Sequence, residues 1–309
     1  SGALEEAQAR YQEAALIEHP PVAATLKQSL VAIRRGDEPG ARALIEEAEA
    51  HASEPQDRAQ VRAAAEFIEY RLGRVRAAID QLERRRAYLE EVVPPFQIAI
   101  GIYTPMVQYQ LDIGNIAAAR AALDSALSVV QPPLDQFLAF SEASILLAEG
   151  ELDAAEAALG RALAIIEQFK LEELKFQAEY LMGHIEFERG RYAESAAQFQ
   201  SALTRIERSV LSGSDVNLLL PGMYGLLARS QVFAGELEAA EQALEKGFEQ
   251  DPAEPALWLS RARFQHASGM SALAAASVNY ALAIWKDADP EFRWARTARK
   301  LASDIQSDP

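Results

Sequence analysis

Amphipathic stretches of helical periodicity follow one another along the whole chain, and single glycines divide them into pairs. A Gly follows one such stretch and precedes the next at Gly36, Gly73, Gly114, Gly150, Gly190, Gly235 and Gly269, at intervals of 37, 41, 36, 40, 45 and 34 residues. Five residues after these glycines stand Ala41, Ala78, Ala119, Ala155, Ser195, Ala240 and Ala274, and twelve after them Ala48, Arg85, Ala126, Ala162, Ala202, Gly247 and Ala281. Only Arg85 is large. A Gly in the left-handed conformation stops a helix without a Cβ penalty, and an acid such as Asp37 or Glu236 just beyond it favours the positive end of the next helix. Small residues seven apart lie two turns along one face, where a partner helix can approach closely. The pattern predicts about seven helical hairpins over 21–285.

The ends read differently from the middle. Residues 1–20 hold a partial leading element, a lone helix from about Leu4 to Ile17 that stops at His19-Pro20-Pro21. At the other end Asp289-Pro290-Glu291 offers an N-cap, a Pro at the first helical position and an acidic first turn, predicting a capping helix over 289–306. The longest interval contains the loop signal Ser209-Val210-Leu211-Ser212-Gly213-Ser214-Asp215. The chain opens Ser1-Gly2 without an initiator Met, which reads as a cleavage scar on a fragment of a larger polypeptide.

Composition agrees with a single all-α repeat array spanning 1–309. At 309 residues the chain exceeds one ordinary compact core. Half of it is apolar, with Ala and Leu dominant and too few β-branched and aromatic residues for many strands. A formal net charge of -16 argues against nucleic acid, whose phosphates require clustered Lys and Arg, and against anionic lipid. No stretch approaches ~20 uninterrupted apolar residues, so no membrane contact by this segment is expected. The absence of cysteine removes disulfides, thiolate metal sites and thiol nucleophiles. It suits a reducing compartment, so a cytoplasmic location is expected, with the periplasm left open.

These glycine and alanine columns resemble the tetratricopeptide repeat. The fullest match is Trp258 to Pro290, where Trp258, Ala262, Gly269, Ala274 and Ala281 fall on the family's Trp, small, Gly, Ala and Ala positions. Asp251-Pro252 closes the preceding unit in the same register. The resemblance implies a right-handed superhelical solenoid whose first helices line a concave surface. In that family the positions thirteen, ten, six and three before the turn Gly point inward. Among the twenty-eight such positions none is acidic, against about four expected at random in this composition. Partial burial alone also depletes acids at such positions. The candidate groove residues on these columns are Phe67, Tyr70, Gln108, Phe140, Tyr180, His184, Phe187, Arg229, Arg263 and His266, a set suited to an acidic, aromatic or apolar partner segment. The Lys and Asn constellation with which some relatives clamp a C-terminal carboxylate is not reproduced. The segment from Tyr280 to Glu291 also resembles the closing segment of repeat arrays on bacterial serine/threonine kinases, nucleotide cyclases and winged-helix regulators. The units of roughly 40 residues are similar to the effector-sensing superhelix of ATP-dependent bacterial activators.

Catalytic signatures are absent: the chain has no nucleotide-binding glycine loop, HExxH, nucleophile elbow or kinase motif. His184 and Glu188 share a helical face at i,i+4, which is more often a surface ion pair than a metal site, so neither metal nor cofactor is expected. Trp258, Trp285 and Trp294 read as packing residues, and Glu5-Glu6, Glu46-Glu47 and Glu172-Glu173 as solvated faces. Two functions stay open. One is a non-catalytic scaffold for a protein or peptide, the interaction arm of a larger bacterial signalling protein. The other is a superhelix that senses a small effector near Tyr180, His184 and Arg229. A first hairpin lacking its upstream partner also offers a terminal surface for homodimerisation.

Overall fold

A computed structural model describes residues 2–17, 21–90, 92–208 and 218–307, with side chains from residue 4. The loop signal at 209–215 and the residues His19 and Pro20 lie outside the described residues. Those described form helices and no strand. After α1 (Gly2–Ile17) come α2 (Val22–Arg34) with α3 (Glu38–His51), then α4 (Pro55–Arg71) with α5 (Val75–Leu89). In the third pair α6 (Pro95–Ile98) continues through a π-turn at Ala99–Tyr103 into α7 (Thr104–Asp112), which pairs with α8 (Ile116–Val129). Then follow α9 (Ala139–Glu149) with α10 (Leu152–Gln168) and α11 (Lys175–Glu188) with α12 (Tyr192–Arg208). Last come α13 (Leu220–Ala234) with α14 (Leu237–Gln250), α15 (Pro255–Ala267) with α16 (Ser271–Ile284), and α17 (Arg293–Ser307).

The local rules that predict the hairpins are visible at each turn. All seven glycines have φ between +75° and +82°. The residue after each donates its backbone N–H five residues back, as in Asp37 to Ala32 at 3.0 Å and Asn115 to Gln110 at 2.8 Å, which satisfies carbonyls the ending helix would leave orphaned. The small residues five and twelve beyond the glycines are buried: Ala41, Ala78, Ala119, Ala155, Ser195, Ala240 and Ala274 have no exposed surface. A Cβ on Gly247 would stand 2.5 Å from a methyl of Leu257. Arg85, the large exception, turns its guanidinium toward the Glu66 carboxylate and the Gly101 carbonyl, each 3.4 Å away. Successive first helices pack on one another, α2 on α4, α7 on α9, α9 on α11 and α13 on α15, while side chains join α4 to α7 (Tyr70 on Tyr109) and α11 to α13 (Phe187 under Arg229), and together they make the inner wall.

The solenoid winds back onto itself. The turn between α4 and α5 meets the loops that flank α15 and α16, more than 170 residues further along. Arg71, with 4% of its side chain exposed, donates to both oxygens of Asp251, at 2.7 and 2.8 Å, and to Glu254 at 2.6 Å. Burial opposes its charge, but Glu254 and Asp251 outweigh that and raise its pKa above the ordinary arginine value. Trp285 Nε1 donates to the Arg71 carbonyl at 3.1 Å, and the Asp289 N–H donates to the Gly73 carbonyl at 2.9 Å.

This seam explains a departure from the sequence reading. The last helix opens at Arg293 rather than at Pro290, because Asp289 does not cap its own helix. Its carboxylate instead accepts the Arg76 N–H at 2.8 Å, in the first turn of α5, and also pairs with the Arg76 side chain. At the start of the chain α1 lies on α2 through Gln8 and Gln28, and leaves Leu16 and Ile17 79% and 81% exposed.

Two glycines separate the seam from the turn geometry. Gly73 and Gly150 are both left-handed, but a Cβ on Gly73 would lie 2.6 Å from Ala288 Cβ and 2.7 Å from Phe292 Cδ1, whereas Gly150 faces open space. Gly150→Ala should cost about 1 kcal/mol of backbone strain. Gly73→Ala should cost roughly 1 to 3 kcal/mol more, from overpacking, in urea unfolding followed by circular dichroism. Equal losses would mean that the seam does not close in solution.

Candidate functional site in the superhelix interior

The inner wall has three parts. Near the first turn of the superhelix, Ala23, Leu26 and Leu30 on α2 face Gln60, Ala63 and Phe67 on α4 across a cavity of about 480 Å³, with Lys27 and Arg85 also on its wall. The six positions named on α2 and α4, five of them apolar and the sixth Gln60, lie on the columns expected to point inward. One helical turn along α4, Tyr70 stacks on Tyr109 with ring centroids 4.6 Å apart and donates its hydroxyl to Asp112 at 2.5 Å. Asp112 has no exposed surface. It also accepts from Gln108 at 3.1 Å and from Arg293 Nε at 2.6 Å. Burial, then the Asp112 charge, drive the Tyr70 phenol well above its usual pKa, so it remains a donor.

Arg293 belongs to the closing segment, so the chain places its own guanidinium inside the superhelix. Its side chain retains 44% exposure and lies over the Trp294 ring at 4.7 Å. From there its charge is felt by Tyr180 and His184 on α11 and by Arg229 on α13.

The third part is basic and aromatic. His184 lies edge-on to Tyr180 at 4.8 Å and to Phe199 at 5.2 Å. Phe187, one turn further on, packs edge-on against Phe233 and carries the Arg229 guanidinium 3.8 Å above its ring. Nε and Nη2 of Arg229 are buried with no hydrogen-bond partner among the described residues. Burial first, then the neighbouring Arg263, push its pKa down to about 9, and Glu188 only partly opposes this. Burial likewise pushes Arg263 down to about 10.

The structure therefore brings Tyr180, His184, Phe187, Arg229 and Arg263 into one region, with His266 one turn beyond Arg263 on α15. Tyr70 and Gln108 meet around Asp112, and Phe67 lines the separate cavity. Phe140 does not join them: at 7% exposure it sits in the core formed by α9, α10 and α11. Asp112 and Arg293 are interior residues that the sequence columns missed. Asp112 stands two residues before a turn Gly, off every column, and Arg293 reaches the interior only through the seam. The tryptophans pack rather than form a cage, since Trp285 is buried and Trp258 lies against Phe248 and Tyr280. Among the described residues no group of three or more His, Asp or Glu side chains could hold a metal, and no helix is long and apolar enough to cross a membrane.

Comparison with known proteins agrees with this architecture. Residues 105–169 and 226–290 match the tetratricopeptide repeat family. They span the hairpins α7 to α10 and α13 to α16. The described residues form an all-α helical solenoid, and these two segments of it match the tetratricopeptide repeat. A tetratricopeptide repeat protein from Parabacteroides merdae is similar over 92% of this chain and 98% of its own, with 16% identity and a TM-score of 0.51. A Rap protein complexed with Competence and Sporulation Factor is similar over 99% and 93%, with 15% identity and a TM-score of 0.55. Cut9, from the Cut9-Hcn1 hetero-tetramer of the APC/C, is similar over 98% of this chain and 52% of its own, with 12% identity and a TM-score of 0.51. At these identities the likeness is one of fold. No curated protein matches the chain.

His184 makes the interior electrostatics measurable. Burial, then the charges of Arg229 and Arg293, hold its pKa well below the usual 6.5. An unfolded chain protonates this side chain near pH 6.5 and the folded chain only at lower pH. The stabilisation is therefore complete above that value and declines as the pH falls below it, by up to about 1.4 kcal/mol per pH unit. Unfolding free energies at pH 7.0 and 5.5 should differ less in His184→Phe than in the wild type. An identical pH dependence would place His184 in water.

Proposed function

We propose that this solenoid is a non-catalytic scaffold that binds a protein or peptide segment along its interior. The observation that carries this reading is Arg229: a buried cation without a hydrogen-bonded carboxylate, in a chain whose net charge is -16. A fold stabilised for its own sake would pair such a group or replace it. Interior aromatics beside it supply flat apolar surface, and the first helices that carry them are held rigidly by the hairpin packing. Two proteins of the same fold are described with bound partners, the Rap protein with Competence and Sporulation Factor and Cut9 with Hcn1. The resemblance of the Tyr280 to Glu291 segment to arrays on bacterial signalling proteins supports a role as the interaction arm of such a protein. Leu16 and Ile17, exposed at the end of α1, are the surface on which self-association would rest.

A second reading, sensing of a small effector, is favoured by one observation. The cavity beside Phe67, at about 480 Å³, falls within the size range of small-ligand sites.

Selection from a random peptide-display library separates the two. Sequences enriched on the wild type should be lost on the Arg229→Glu, Arg263→Glu double variant, with helicity unchanged. Failure to enrich any sequence, together with a metabolite that stabilises the chain, would replace the scaffold reading with the sensor.

A further inference from the structure

Twelve residues beyond a turn Gly, six of the seven hairpins have Ala or Gly, and the second has Arg85. A local rule broken in one unit of a regular array is expected where a residue has a task other than packing. Arg85 stands on α5, the second helix of its hairpin, and its half-buried side chain lies on the wall of the cavity of about 480 Å³. Its Nη1 donates to Glu66 and to the Gly101 carbonyl, each at 3.4 Å, longer than the usual range for such bonds. Nε and Nη2 make no hydrogen bond among the described residues. Glu66 is a poor counter-ion, since burial raises its pKa against the pull of Arg85, and it already accepts from the Tyr109 hydroxyl at 2.9 Å. The rest of the wall is largely apolar: Leu26 and Leu30 on α2, Phe67 on α4, Leu89 on α5, and Leu218 just ahead of α13. Lys27, Gln56 and Gln60, the remaining polar lining residues, are exposed.

We infer that this cavity binds a small aliphatic monocarboxylate, with its carboxylate on Arg85 and its chain against Leu26, Leu30, Phe67 and Leu218. This rests on the second functional reading, sensing of a small effector, and gives that reading a ligand class. Nε and Nη2 of an arginine present two parallel N–H groups, which match the two oxygens of a carboxylate. At ~30 Å³ for each heavy-atom group, the liquid volume of one water molecule, a carboxylate of about ten carbons takes up about three-quarters of the cavity. Each methylene moved from water to apolar walls adds about fourfold in affinity. A peptide backbone, which needs hydrogen bonds along its length, finds few partners on such a wall. A ligand seated there touches the first two hairpins and the approach to the sixth at once, which is how occupancy would be felt across the superhelix.

The test is isothermal titration calorimetry on the full chain with decanoate, butanoate and 1-decanol. Decanoate should bind the wild type. Butanoate, which lacks six of its methylenes, should bind at least about a hundredfold more weakly, and decanol, which gives the guanidinium no counter-ion, at least about tenfold more weakly. Arg85→Gln, which keeps a donor for Glu66, should weaken decanoate by about tenfold or more and leave decanol unchanged. Ala63→Phe, which fills the cavity from α4, should abolish the binding of both. Both variants should keep the wild-type circular dichroism. If Ala63→Phe does not fold, Arg85→Gln with the butanoate and decanol arms decides the same question. No binding of decanoate by the wild type, or binding that both variants leave unchanged, overturns the site. Equal binding of decanoate and decanol overturns the carboxylate and leaves an uncharged apolar effector. If decanoate fails while another metabolite stabilises the wild type but not Ala63→Phe, the carboxylate class falls and the sensor reading stands.

Discussion

The guanidinium of Arg71, buried between Asp251 and Glu254, is the interaction on which the shape of this solenoid depends. A repeat array is held locally by contacts between neighbouring units, and nothing in those contacts obliges its two ends to meet. Here the Asp251, Trp285 and Asp289 loops return to the second hairpin and satisfy its exposed turn: Arg71 receives two carboxylates, the Arg71 and Gly73 carbonyls receive donors, and the first turn of α5 receives a cap. The desolvation of so many polar groups is tolerable only because each one is paired. Gly73 is needed twice over, for its left-handed backbone and for the space that Ala288 and Phe292 occupy.

Closure changes the chemistry of the interior. It delivers Arg293 to Asp112 and Tyr70, which would otherwise be a buried acid held by neutral donors alone. The positive charge of Arg293 then bears on His184 and Arg229 across the inside of the superhelix. An acidic chain thus encloses a basic wall. In a chain of net charge -16, part of the inner face sets Arg229 over Phe187 and Arg293 over Trp294. Burying Arg229 without a hydrogen-bonded carboxylate costs stability, which the Phe187 ring beneath its guanidinium offsets in part.

Much of the fold was legible in the sequence, because hairpin formation is decided within a dozen residues. A left-handed Gly, a small residue five positions on and another twelve positions on each act locally, and the seven turns obey them except for Arg85, twelve beyond Gly73. The inward columns found Phe67 and its cavity, and the Arg229 region, for the same reason. They misplaced Phe140, whose column position is filled by core where α9 packs on both α10 and α11. Asp289 was assigned to its own helix by a sound local rule, and a backbone N–H at Arg76, 213 residues away, took its carboxylate instead. The seam, Asp112 and Arg293 were not legible. Their juxtaposition follows from superhelical pitch, which accumulates small rotations over all the units and leaves no mark in any one of them.

The most direct test of closure is a double-mutant cycle between Arg71 and Asp251, using Arg71→Met, Asp251→Asn and the double variant in urea unfolding. These positions are 180 residues apart in the sequence, so local structure cannot couple them. A closed solenoid predicts a coupling energy of at least about 1.5 kcal/mol, in the range found for residues in one buried network. Additivity to within about 0.3 kcal/mol would mean that the ends do not meet and that Arg293 does not belong to the interior.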